Sequence, residues 1–130
     1  MADHPNVALL RKGYAAFAGG DIAALTELFA EDVVWHVPGN NLISGEHRGR
    51  DAVFATFAKV GQETAGSFSI ELHDIVANDE HTVALSRASA SRQGKQLDLR
   101  GVDIYHIRNG KVTEWWSFTD DQRLDDEFWS

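Results

Sequence analysis

Hydrophobic and polar positions repeat with two different periods along the chain. In the first part the period is helical. Val7, Leu10, Tyr14 and Phe17 recur as one helical stripe, with Arg11 and Lys12 off it. Gly19-Gly20 stops that helix. Asp21 is placed to cap a second helix, whose Ile22, Leu25, Leu28 and Phe29 turn inward. Asp32 to Pro38 is dense in β-formers (Val33, Val34, Trp35, Val37) and reads as a short strand, ended by Pro38-Gly39. Residues 40–50, punctuated by Gly45 and Gly49, read as a loop. A third helix starts near Asp51, carries Val53, Phe57 and Val60 on one face, and frays between Gly61 and Gly66.

From Phe68 the period becomes two. Four β-type runs follow, Phe68–Val76, Thr82–Arg92, Gln96–Ile107 and Lys111–Phe118. Turn signals separate them at Asn78-Asp79, Gln93-Gly94 and Asn109-Gly110. The runs predict an antiparallel meander, with the helices covering one face of its sheet. The third run puts Leu97, Leu99, Gly101, Asp103, Tyr105 and Ile107 on that face, and Asp98, Arg100 and His106 on the other. The second run is rich in small residues, Ala84, Ser86, Ala88 and Ala90, which leave room for a crossing helix or a ligand. The fourth is aromatic on both faces, with Trp115 on one and Trp116 and Phe118 on the other. A strand apolar on both faces is covered on both, so a homodimer through the outer face of the sheet is expected. Residues 119–130 carry five acidic side chains before Phe128-Trp129. They read as a solvated acidic C-terminal tail, its aromatics docked locally or on the partner.

Composition narrows the function. The chain has 130 residues, no cysteine and a net charge of −8. Residues 1–130 form a single domain, large enough to bury a core without disulfide or metal. The acidity argues against a nucleic-acid partner. The chain shows neither a signal peptide nor an apolar run of membrane-spanning length, so a cytoplasmic protein is expected. No pair of histidines with a carboxylate has helical ligand spacing, and no phosphate-cradling glycine loop or nucleotide fingerprint is present. No metal and no cofactor are expected.

Four stretches in this order carry a family likeness: Tyr14–Asp21, Leu28–Gly39, Gly45–Val53 and Asn109–Trp116. On them the chain resembles the nuclear-transport-factor-2-like superfamily, in its branch of SnoaL-like polyketide cyclases and ketosteroid isomerases. The resemblance implies an α+β fold: a cone-shaped, curved mixed β-sheet with three helices on its concave face, enclosing an apolar cavity. It implies an isomerase- or cyclase-like activity without a cofactor, although the fold also hosts non-enzymes. The general base of the isomerases falls on Val37, and the cyclases' last-strand carboxylate on Ser117. The isomerases' oxyanion tyrosine falls on Gly13, next to Tyr14. Their protonated oxyanion-hole aspartate falls on Asp103.

The residues themselves single out Asp103 as well. Flanked by Leu99, Gly101, Tyr105 and Ile107 on an apolar face, its carboxyl is desolvated and its pKa rises. Two readings stay open. Asp103 hydrogen-bonds a ligand oxyanion, or it pairs with a buried arginine such as Arg87. The expected catalytic set is Asp103, Tyr14 and His36, with His36 or a water moving the proton; a surface His36 is the competing reading. His47 is expected to be exposed. The expected ligand-binding residues are Phe17, Trp35, Val37, Phe57, Leu99, Tyr105, Trp115 and Ser117. The expected partner is a small apolar molecule. A non-catalytic binding protein of the same fold is the alternative to an enzyme.

Overall fold

A computed structural model describes residues 3–130. The first helix, α1 (Pro5–Gly19), has proline at its first position, where a missing N–H costs nothing, and the His4 ring accepts from the Asn6 amide. Gly20, at φ 68°, ends it in the left-handed conformation. Asp21 caps α2 (Ile22–Leu28) through the Ala24 amide. The chain then enters β1 (Phe29–Val37) directly, so the first strand begins three residues before the expected Asp32. The expected loop that follows contains a four-residue edge strand, β2 (Gly45–Arg48), paired antiparallel with β1. Its sequence, Gly-Glu-His-Arg, has no apolar alternation to reveal it. The third helix, α3 (Arg50–Glu63), precedes the meander of β3 (Ser69–Ala77), β4 (Thr82–Arg92), β5 (Lys95–Arg108) and β6 (Lys111–Thr119).

The six strands form one curved, unclosed sheet in the order β2-β1-β6-β5-β4-β3. Its pairing is antiparallel except between β1 and β6, which run parallel. Two hairpins use the expected turns, with Gln93-Gly94 at φ 51° and 77° and Asn109-Gly110 at 52° and 75°. Positive φ at both central residues matches the turn to the twist of the strands. Register shifts in β3 and between β5 and β6 bend the sheet. The helices bury Val7, Leu10, Leu25 and Val53 against Val33, Ala84, Val112 and Trp115. No helix among the described residues is long and apolar enough to cross a membrane.

The tail is the main departure from expectation. Asp121 caps a fourth helix, α4 (Gln122–Phe128), through the Leu124 amide. Phe128 and Trp129, only 1% and 4% exposed, pack with Leu97, Leu99 and Ala90. The buried Arg92 guanidinium fixes the end of α4 by donating to the carbonyls of Phe128 and Ser130, both at 2.9 Å. The acidic run thus belongs to a docked helix and its cap, with Asp121 and Glu127 exposed and Asp125 and Asp126 partly buried. Phe128→Ala is expected to cost about 3–5 kcal/mol, the usual loss for emptying a buried aromatic site. Urea denaturation checks it; a solvated tail would give under about 0.5 kcal/mol.

Candidate functional site

Strand alternation and one helix bring five polar side chains to one point inside the sheet. In β5, Leu97, Leu99, Gly101, Asp103 and Tyr105 all line an interior cavity of about 210 Å³. Asp103 stands opposite Ser117 of β6 and Ala84 of β4. Tyr14 comes from α1, whose stripe faces the sheet, and Trp35 from β1.

The hydrogen bonds run in one direction. The Trp35 indole donates to Ser117 Oγ at 2.9 Å, and Ser117 stands beside the Asp103 carboxyl, opposite it in register. From the other side Tyr14 donates to Asp103 Oδ2 at 3.1 Å. The hydroxyls of Tyr14 and Tyr105 are 2.8 Å apart. Since the Tyr14 proton goes to Asp103, Tyr105 donates to Tyr14. Asp103 is where both branches end.

No cation offsets the carboxyl charge. Among the described residues no salt bridge reaches Asp103. Arg87, the arginine considered for it, points outward and binds Asp98 with two hydrogen bonds of 2.7 Å. Desolvation therefore pushes the Asp103 pKa up to about 6, against the opposing hydrogen bonds from Ser117 and Tyr14. Burial, together with the charge of Asp103, also raises Tyr14. Tyr105 is raised by burial and by Tyr14 and Asp103 beside it. Both tyrosines keep their protons at neutral pH and act as donors.

The walls are apolar and stiff. Trp115 stacks on Phe29, Trp35 and Tyr105, at centroid distances of 5.1, 5.0 and 5.7 Å. Phe57 closes on Trp35 at 5.3 Å and on Phe17 at 5.1 Å. Phe17, Trp35, Val37, Phe57, Leu99, Tyr105, Trp115 and Ser117 all line the cavity. The small residues of β4 serve two purposes. Ser86 and Ala88 line the cavity, while Ala90 lies under Phe128 and Trp129.

His36 does not join the site. Trp35 points inward, so alternation sends His36 to the outer face. There it bonds Glu114 at 2.7 Å, lies 3.5 Å from Glu46 and stacks on Trp116. His47 is half-buried rather than exposed and bonds the Ile43 carbonyl at 2.7 Å. Several lining residues were not among those expected, among them Phe29, Ile43, Arg100, Thr119 and Asp125. Asp125 of α4 lines the same space, and Leu124/Phe128 with Asp125/Trp129, each pair four apart, are the helical spacing that would have revealed it.

The model of the SnoaL-like domain family matches residues 10–115. An uncharacterized protein of Mycobacterium tuberculosis (strain H37Rv) is 36% identical over 131 residues, covering both chains completely. Among solved structures, Bal32a, from a soil-derived mobile gene cassette, is 40% identical with a TM-score of 0.93, over 96% of each chain. IdmH of Streptomyces antibioticus, a polyketide-cyclase candidate, shares the fold at 20% identity and a TM-score of 0.75, over 90% of this chain and 93% of its own.

The carboxyl has a thermodynamic signature. The folded pKa of Asp103, about 6, lies above its ordinary 3.8. The protonated form is the one the fold favours. Its contribution is fully present below pH about 4 and is lost as the pH rises through about 6. Wild type is expected to lose about 3 kcal/mol relative to Asp103→Asn over that window, read from urea denaturation at several pH values. Carbon-13 NMR of the labelled carboxyl is expected to titrate with a midpoint of about 6.

Proposed function

The chain belongs to the SnoaL-like domain family, and from that membership and its Asp103-centred cavity we propose that it moves a proton on a small apolar carbonyl compound, as an isomerase or cyclase does. The observation that carries this is a carboxyl without a cationic partner, inside an apolar cavity, with two tyrosine hydroxyls beside it. A pKa of about 6 lets the group gain and lose a proton near neutral pH, as a general base must. In this reading Asp103 is the base, and Tyr14, which already donates to it, is the oxyanion donor. Asp103 Oδ removes a proton from the carbon next to the carbonyl. As charge develops on the carbonyl oxygen, the Tyr14 hydroxyl turns to it, supported by Tyr105. Returning the proton to a different carbon gives isomerisation. Attack of the enolate carbon on an electrophilic carbon of the same molecule gives cyclisation.

A second reading is a binding protein with the same cavity and no chemistry. It is favoured by Val37 and Ser117, which stand where the resemblance places catalytic carboxylates, and by the outward His36. Deuterium exchange of 2-tetralone in D₂O, followed by proton NMR, separates the two, because this two-ring ketone has acidic protons next to its carbonyl. The proton-transfer reading expects catalysed exchange, slowed on the order of 100-fold by Asp103→Asn and by about tenfold or more in Tyr14→Phe. Exchange at the buffer rate with wild-type protein leaves the binding reading.

The assembly belongs to the same proposal. On the outer face, Val102 lies beside Phe118 and Ile104 beside Trp116, with Val83 and Leu85 adjoining on β4. None of the six joins either core cluster, and Phe118 is 49% exposed. A second copy turned end for end lays the two apolar islands on each other, as a two-fold interface requires. Phe118→Glu is expected to convert a dimer to a monomer in analytical ultracentrifugation. A wild type that sediments as a monomer at micromolar concentration rejects the interface.

A further inference from the structure

The cavity has a second polar end. Asp125 of α4 lines it near Leu97 and Leu99, on the side of Asp103 away from Tyr105. Its position is fixed by packing, because Arg92 and the buried Phe128 and Trp129 hold α4 in place. The Trp129 indole donates to Asp125 Oδ1 at 3.1 Å, and the Gln122 amide reaches Oδ2 at 3.3 Å. Both donors are neutral and the second bond is long, so Oδ2 keeps acceptor capacity. Burial and the charge of neighbouring Asp126 raise the Asp125 pKa, as expected of a carboxyl held against an apolar space.

Leucine and aromatic side chains make up most of the wall around the two carboxyls, with Ser86, Arg100 and Thr119 also in the lining. The space, about 210 Å³, holds roughly two fused rings. We infer that Asp125 is a specificity-determining residue. The ligand is a flat two-ring ketone whose carbonyl meets Asp103 and Tyr14, and whose hydroxyl at the opposite end donates to Asp125. A neutral hydroxyl fits better than an ammonium, which would have to shed its water to cross the apolar walls. The pose rests on the Asp103-centred reading above.

The test is calorimetric titration with 2-tetralone, 6-hydroxy-2-tetralone and 6-methoxy-2-tetralone. With the wild type the hydroxyl is expected to tighten Kd about tenfold over the unsubstituted ketone. The methoxy group, which cannot donate, is expected to give no gain. In Asp125→Asn, whose amide still accepts from Trp129, the hydroxyl advantage is expected to fall below twofold. Asp126→Asn, which leaves the cavity lining intact, is expected to keep it. Equal affinity of the wild type for the hydroxy and methoxy compounds overturns the inference without any variant, and so does an advantage that survives in Asp125→Asn. The two readings fail separately. Absent exchange of 2-tetralone removes proton transfer, while the hydroxyl advantage alone decides Asp125.

Discussion

The structure depends on keeping one carboxyl out of water without giving it a counter-ion. Asp103 sits on a face otherwise built of leucines and aromatics, and the cost of ionising it there is a raised pKa. Its neighbours limit that cost without removing it. Tyr14 gives it a neutral hydrogen bond and Ser117 stands beside it, each hydroxyl held by a further donor, Tyr105 and Trp35. An arginine beside it would have fixed Asp103 as an ion and lowered its pKa. Arg87, on the neighbouring strand, is instead turned outward to Asp98.

Rigidity around the carboxyl comes from aromatic packing. Trp115 is the centre of a stack with Phe29, Trp35 and Tyr105 that spans β1, β5 and β6. Because β1 and β6 run parallel and in register, Trp35 and Trp115 meet face to face. The stack holds the Trp35 indole against Ser117 and the Tyr105 hydroxyl against Tyr14. Side chains held in this way limit the rearrangement to the turn of a hydroxyl proton.

The same alternation divides β6 between two tasks. Trp115 and Ser117 serve the cavity, and Trp116 and Phe118 form the outer apolar island. His36 follows Trp116 to that side, with Glu114 and Glu46 around it. A histidine is thereby kept out of the cavity by a single residue of parity, and Asp103 is left as the buried carboxyl at its centre.

Much of this could be read from the chain alone. Period-two alternation placed Asp103, Leu99, Tyr105, Trp115 and Ser117 on one face, because long strands with paired turns leave the pleat little freedom. Glycines at positive φ marked two hairpins, and Asp21 marked a helix start. Three things needed the tertiary structure. The edge strand β2 is defined by its partner β1, since four polar residues have no pattern of their own. The last helix is held by Arg92, about thirty-five residues earlier in the chain, which no local propensity records. The partners of Asp103 come from α1 and β6 by way of the fold's closure. Sequence could say that a carboxyl would be buried; only the packing decided that two hydroxyls, rather than an arginine, would meet it there.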